Sequence, residues 1–224
     1  MGRTARKSTG IFITLEGGEG SGKTTHALLL GRWLIAQGLN VLQTREPGGT
    51  PLAEQLRTIL LDNPVESIAS ETEALLILAA RRQHVDHVIK PALAQGKTVV
   101  CDRFYDSTMA YQGYGRGLDL GVLRTMNDWA TGKLAPQLTL IFDVPVTVGL
   151  WRRRGETSTQ NRLDRETERF HDSVRRGFHD LARQEPRRIM MIDASPSIES
   201  VELEVESRVT NWLKTHLSKK PRRR

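Results

Sequence analysis

Apolar and polar positions along this chain switch repeatedly between a strand-like and a helix-like spacing. Ile11-Phe12-Ile13-Thr14-Leu15 is a short apolar run of the kind that forms a buried strand, and a glycine-rich turn follows it. Apolar residues then recur at helical spacing from about Lys23 to Gln37, and Gly38 stands where a helix-ending glycine belongs. Asn40 to Thr44 predicts a second strand and Pro47-Gly48-Gly49 a loop. Pro51 suits the first position of a helix, which Asn63-Pro64 breaks. Ser70 with Glu73 three residues later has the form of a capping box, Ser at N-cap and Glu at N3. It would open a long helix to about Ala94, with Pro91 kinking it or marking its last turn. Lys97 to Cys101, Leu138 to Phe142 and Arg188 to Ile192 predict three further strands. Val201, Val205, Val209 and Trp212 share one face of a final amphipathic helix. Strands alternating with helices predict an α/β fold, a five-stranded parallel sheet flanked by helices. No internal repeat or interdomain linker interrupts this pattern, so residues 11–217 read as one domain.

Composition narrows the partners. A chain of 224 residues, 38% hydrophobic and 26% charged, can bury a single globular core. Its longest apolar run, Ala74 to Ala80, is far short of the ~18 residues that cross a membrane. No apolar signal-peptide core follows the basic N-terminus, and Arg6 stands where a myristoylation signal after Met1-Gly2 needs Ser or Thr. The single cysteine, Cys101, excludes an internal disulfide or Cys-based zinc cluster, and the expected location is the cytoplasm. Cys101 itself reads as a buried strand residue. The net charge of +7 raises the question of nucleic acid, and its distribution argues against it. Residues 1–10 carry +3 and residues 218–224 carry +5, which leaves the body at −1. Both ends read as solvated basic tails. Within the body, Arg152 to Arg188 holds 11 arginines against 7 acids, and that excess needs its own explanation.

The chemistry starts at the first turn. Gly17-Gly18-Glu19-Gly20-Ser21-Gly22-Lys23-Thr24 fits the phosphate-loop pattern in full, after a strand and opening a helix. Glycines let the backbone curl so that its N–H groups point at phosphate oxygens, and the helix N-terminus adds partial positive charge. Lys23 would reach the β- and γ-phosphates, and Thr24 would offer its hydroxyl to Mg²⁺. The loop predicts nucleotide binding without fixing the reaction. No guanine-reading Asn-Lys-x-Asp is present. A small phosphate-loop protein with no attached module points to phosphoryl transfer onto a small acceptor. Val99-Val100-Cys101-Asp102-Arg103 ends an apolar strand on an acid suited to a Mg²⁺-water shell. Arg103 beside it could bridge donor and acceptor phosphates, with a strand-end salt bridge as an even alternative. Arg45 ends the second strand, and Arg81 lies on the long helix with Ile77 one turn earlier. Ser107, Thr108, Tyr111 and Gln112 supply hydroxyls, a ring and an amide that can read a base and a sugar.

These motifs together, Glu16 to Thr25, Thr-Arg-Glu-Pro-Gly-Gly-Thr (44–50), Ala-Ala-Arg (79–81), Asp-Arg-Phe (102–104), Ser-Thr-x-Ala-Tyr-Gln-Gly (107–113) and Arg-Leu-Asp-Arg (162–165), resemble the bacterial thymidylate kinases. The resemblance runs in order from about Ile11 to Trp212. It implies a nucleoside monophosphate kinase-like fold with a mobile lid, and transfer of the γ-phosphoryl of MgATP to dTMP. It implies that Gly17 to Thr25 bind ATP and that Arg45 and Arg103 hold the acceptor phosphate. Arg81 would bond the thymine carbonyl, and Pro47, Ser107, Thr108 and Gln112 would line the acceptor site. Tyr111 would crowd the 2′ position, and Glu19 would meet the 3′-hydroxyl. The family commonly stacks thymine on an aromatic residue one turn before the Arg, and here that position is Ile77. An aliphatic side chain forgoes a stacking contribution of about 1 kcal/mol. The resemblance also implies a homodimer.

Ser21, rather than an Arg, precedes Gly22, so the resemblance is to the class whose catalytic Arg comes from a lid. The lid is read at about 152–166, around a polar Gly155–Asn161 loop, with Arg153, Arg162 or Arg165 closing over ATP. Alternatives are a deoxynucleoside kinase or another monophosphate kinase on this fold, and a nucleic-acid-binding regulator of another class. His84 and His87 have a spacing that could share a metal, but without an acid cluster they read as surface histidines. Trp33 and Trp212 fit helix core faces.

Overall fold

The computed structural model describes residues 10–62, 67–155 and 161–218. The basic tails up to residue 9 and from 219, the Asn63-Pro64 break, and positions 156–160 of the lid loop lie outside the described residues. Five strands, β1 (Ile11–Gly17), β2 (Val41–Arg45), β3 (Thr98–Asp102), β4 (Leu138–Asp143) and β5 (Ile189–Asp193), form one sheet in the order β2-β3-β1-β4-β5. Every pairing is parallel. β1 is central and buried along its whole length, which is why its sequence is a continuous apolar run rather than an alternating one.

Strand order reverses beside β1, and in open α/β sheets a crevice forms at the carboxyl ends of the strands at that point. The register sets what emerges there. Asp102 pairs with Leu15 on one side and with Arg45 on the other. The end of β1, Arg45 and Asp102-Arg103 therefore leave the sheet side by side.

Helices cover both faces. α1 (Lys23–Ala36) and the final helix α9 (Ile198–Ser218) pack on one, burying Leu30, Leu34, Val201, Val205 and Val209 against Ile13, Leu15 and Phe142. Trp33 and Trp212 close the edge of that core. Each fully buried aliphatic side chain contributes about 1.5–3 kcal/mol relative to exposure. Gly38 at φ 82° ends α1, its N–H donating to the Ile35 carbonyl. On the other face α8 (Glu168–Gln184) sets Phe170, Val174 and Phe178 against Tyr111, Leu123 and Ile141. α2 (Pro51–Asp62) and α3 (Ser70–His84) flank the crevice, α6 (Leu120–Thr131) packs against α3, and α7 (Val146–Gly155) leads to the lid loop.

The long helix departs from the sequence reading in two ways. Ala69, not Ser70, is its N-cap, and no side chain caps it. Glu73 cannot complete a capping box because its carboxylate is taken by Gln112, Arg116 and Arg162. At the other end α3 widens into a π turn over Val85–Ile89 before α4 (Lys90–Ala94). Pro91 lacks an N–H to return to the preceding turn, and the widened turn lies just ahead of it. Another short helix, α5 (Tyr105–Thr108), runs into a second π turn, Met109–Gly115, which carries Tyr111 and Gln112. Among the described residues no helix is long and apolar enough to cross a membrane.

Candidate active site

The phosphate loop owes its shape to backbone conformations that only glycine adopts easily. Gly20 and Gly22 have φ of 64° and 80°, and a Cβ at Gly20 would fall 1.9 Å from the Gly149 carbonyl oxygen of α7. The Ser21 hydroxyl and Lys23 Nζ both donate to the Gly18 carbonyl, at 2.9 and 3.0 Å. Lys23 is buried, 3.8 Å from the Glu19 carboxylate. Burial, followed by the neighbouring Arg103, lowers its ammonium below the usual lysine range. Thr24 Oγ1 donates to Asp102 Oδ2 at 2.5 Å, and Asp102 Oδ1 is buried with no hydrogen-bond partner among the described residues.

Arg103 joins the loop to the rest of the cavity. Its φ of 69° is unusual for a residue with a Cβ. Its guanidinium donates to the Gly17 carbonyl at 3.0 Å, Ser107 Oγ at 3.1 Å, Glu19 Oε1 at 2.7 Å and the Tyr111 hydroxyl at 3.1 Å. It also lies over the Tyr111 ring, 4.8 Å from its centroid. The salt bridge that the strand end suggested is thus made with Glu19 and not with Asp102. Burial would raise the Glu19 carboxyl, but Arg103, Lys23 and the Tyr111 hydroxyl outweigh it and bring it down to about 2. Burial pushes the Tyr111 phenol well up, so it remains a hydroxyl donor.

Beneath Arg103, Glu16 at the end of β1 accepts from the Phe104 backbone N–H at 2.8 Å and from Ser107 Oγ at 2.5 Å. These two bonds clamp the turn that follows the left-handed residue. Burial and the adjacent Asp106 push the Glu16 carboxyl up to about 8.

The opposite wall is built from side chains. Arg81 donates to Glu46 at 2.7 Å, to Thr108 at 2.7 Å and to Asn127 at 2.6 Å, and is only 2% exposed. Glu46 also meets His84 Nδ1 at 3.0 Å, while His84 Nε2 meets Thr44 Oγ1 at 2.7 Å. Burial opposes ionisation of Glu46, yet Arg81 and His84 hold its carboxyl below the ordinary range. His84 is therefore a buried structural group and not the surface histidine expected from its spacing. Arg45 donates to the Pro47 carbonyl at 2.9 Å and to Glu54 at 2.8 Å. Gln112 donates to Glu73 at 2.7 Å, as do Arg116 and the lid residue Arg162. Arg153 pairs with Asp164 at 2.9 Å.

Together these walls enclose a cavity of about 580 Å³ running from the phosphate loop to Arg81 and Gln112. A phosphate cradle at one end and fixed hydrogen-bonding side chains at the other suit two nucleotides meeting near Arg103. The family model for thymidylate kinase matches residues 15–205. The chain belongs to the thymidylate kinase family. It is 51% identical over 203 residues to the thymidylate kinase of Thermomicrobium roseum, covering 91% of this chain and 96% of that protein. It is 46% identical over 203 residues to that of Symbiobacterium thermophilum, with 91% and 94% covered. The crystal structure of thymidylate kinase from Ehrlichia chaffeensis superposes with a TM-score of 0.73 at 39% identity, covering 90% of this chain and 98% of that one. Membership makes the chain a kinase and favours that reading over a nucleic-acid-binding regulator.

For a thymidylate kinase, the positions singled out in the sequence converge well. Glu19, Gly20, Gly22 to Thr25, Arg45, Pro47, Ile77 and Arg81 line the cavity. So do Asp102, Arg103, Ser107, Thr108, Tyr111, Gln112, Arg153 and Arg162. Gly17, Gly18 and Ser21 shape the loop from behind. Arg165 does not line the cavity. Its neighbour Asp164 turns inward to Arg153 and the Asn161 N–H, which leaves Arg165 on the exposed side of the short turn Leu163–Arg165. Sequence reasoning gave no site role to Glu16, Glu46, Arg57 or Asn127, and read Glu73 only as part of a capping box. Arg57 lines the cavity and donates to the Pro47 carbonyl at 3.1 Å. The partners of Glu46 and Glu73 lie 35 to 89 positions away, so no local spacing announces them.

Proposed function

We propose that this chain transfers the γ-phosphoryl group of ATP to dTMP, giving dTDP and ADP. The observation that carries the assignment is the position of Arg103 between the phosphate loop and the cavity that ends at Arg81 and Gln112. In this reading the loop N–H groups and Lys23 hold the donor phosphates. Arg45 and Arg103 hold the acceptor phosphate in line with them. Arg81 donates to a thymine carbonyl, and Thr108, Gln112, Ser107, Pro47 and Ile77 enclose the nucleoside. Tyr111 crowds the 2′ position and Glu19, ionised, accepts from the 3′-hydroxyl. The acceptor is already an anion, so no general base is needed, and catalysis is positioning and charge neutralisation.

Thr24 and Asp102 are the residues that would hold Mg²⁺, and the unpartnered Asp102 Oδ1 fits a bound cation or its water. When bound, the ion neutralises phosphate charge. Arg153 and Arg162 supply positive charge from the lid, and both would exchange their partners Asp164 and Glu73 for phosphate as it closes. A homodimer is supported by exposed Leu75 on α3 and by Val122 and Trp129 on α6, Trp129 being 78% exposed. The single buried cysteine supports a cytoplasmic location.

The test is an acceptor panel of dTMP, dUMP, UMP, CMP and thymidine at fixed MgATP. The expected result is a clear preference for dTMP, and phosphorylation of thymidine without dTMP would overturn the assignment. Repeating the panel with Ile77→Phe should lower KM for dTMP by up to about tenfold, the size of an added stacking contact.

A further inference from the structure

We infer that Glu73 is a specificity-determining positioning residue that fixes which end of the Gln112 amide faces the acceptor base. The inference rests on the thymidylate reading of the acceptor site and deepens it. A glutamine amide has a donor end and an acceptor end of nearly the same shape, and a flip inverts the pattern it presents. Gln112 lines the cavity from a buried position, and its Nε2 donates to Glu73 Oε1 at 2.7 Å. An ionised carboxylate only accepts, so the flipped amide would set oxygen against oxygen. Burial opposes ionisation of Glu73, but hydrogen bonds from Arg116, Gln112 and Arg162 hold its carboxyl below the ordinary range. The amide nitrogen is thus committed to Glu73, and Oε1 is the end left for a ligand in the cavity.

The chemistry of the ligand edge then follows. Thymine and uracil present a donor at N3 and an acceptor at O4, whereas cytosine presents an acceptor at N3 and a donor at N4. Arg81 carries donors only, and Glu46, Thr108 and Asn127 fix its direction. A fixed acceptor at Gln112 next to a fixed donor at Arg81 complements the keto pyrimidine and opposes cytosine at both positions. Glu73 acts through Gln112, and Arg116 on its other oxygen keeps it in place when Arg162 leaves for phosphate.

The test measures kcat/KM for dTMP and for dCMP in wild type, Glu73→Gln, Gln112→Met and the double variant, with binding of an ATP analogue confirming the folded phosphate loop. A neutral amide at 73 can donate as well as accept, so Gln112 becomes free to flip. Glu73→Gln should lower the dTMP:dCMP ratio about tenfold, the net worth of one hydrogen bond. Gln112→Met should lower it to a similar extent, and adding Glu73→Gln to it should leave the ratio unchanged. Equal losses on both acceptors in Glu73→Gln, with the ratio preserved, would overturn the inference and leave Glu73 as a lid or stability residue. An unchanged ratio in Gln112→Met would overturn it whether or not Glu73→Gln folds. If wild type does not use dTMP at all, the assignment of the acceptor itself fails, and that result is separate from either outcome.

Discussion

The two ends of the cavity are made of different materials. The donor end is backbone: eight consecutive residues, Gly17 to Thr24, curl through left-handed glycines and present N–H groups at the start of α1. The acceptor end is side chain: arginines and amides whose directions are set by buried carboxylates on distant elements, Arg81 by Glu46 and Gln112 by Glu73. The difference teaches where each end is vulnerable. The cradle's shape is backbone, and Glu19, the acid beside Lys23, keeps Arg103 as its nearer partner, so the one cationic side chain of the loop can be removed with little cost to the fold. A wall of paired charges loses stability when one partner goes, because the other is left buried and alone.

Lys23→Ala tests the first half of that contrast and should have the largest effect. Among the described residues Lys23 makes one hydrogen bond, to the Gly18 carbonyl, and a longer ion pair with Glu19 at 3.8 Å, and its proposed partners are donor phosphates. Turnover should fall about 10³-fold or more, on the scale of losing a main source of transition-state charge stabilisation. The melting temperature should barely move. A large loss of stability in this variant would erase the distinction between the two ends.

Arg81→Leu tests the second half. Glu46 would remain buried with His84 alone, and Thr108 and Asn127 would each lose a donor. The expected cost is about 3–5 kcal/mol of unfolding free energy, read by chemical denaturation. Adding Glu46→Leu, which removes the stranded charge, should recover part of it. If Arg81→Leu unfolds like wild type and only weakens acceptor affinity, the wall is not held by its ion pairs.

The same contrast explains what was legible in the chain. The sheet and the phosphate loop follow from local spacing, since Ile11 to Leu15 and Gly17 to Thr24 carry their own conformational reasons. Arg45, Arg81 and Arg103 were visible because each sits at a strand end or on a helix face near the crevice. The carboxylates that aim them were not. Glu73 looked like half of a capping box, and His84 like a surface residue, because both obtain their partners only when α3 packs beside β2 and the Met109–Gly115 turn. Arg165 lies outside the cavity for a related reason, since its neighbour Asp164 takes the inward side of the three-residue turn. Local patterns specify backbone sites, and topology specifies networks of paired charge.

Glu16 sharpens the comparison, because it lies at the seam and belongs to both kinds of construction. It ends β1 just before the phosphate loop, and its carboxyl clamps the Phe104 N–H and the Ser107 hydroxyl beside the left-handed Arg103. Its folded pKa, about 8, lies above the ordinary value of 4.5, so the native state holds this proton more tightly than the unfolded chain does. Stability from that proton is fully present below about 4.5 and is lost as pH rises through about 8. Lys23, which burial lowers, gains stability as pH rises and so works against the Glu16 effect. Glu19, lowered to about 2, contributes stability that is lost only as pH falls toward that value, and burial lowers His26 and His171 below 6.5. Between pH 7 and 8.5, roughly the upper part of the Glu16 window, Glu16 therefore pulls the wild-type melting temperature downward. Glu16→Gln keeps an acceptor for the Phe104 N–H but cannot ionise, so its melting curve should be flatter across the same range. A wild-type slope that survives unchanged in Glu16→Gln would mean that the seam is held by an ionised carboxylate, and that the turn carrying Arg103 is built as a charged network like the acceptor wall.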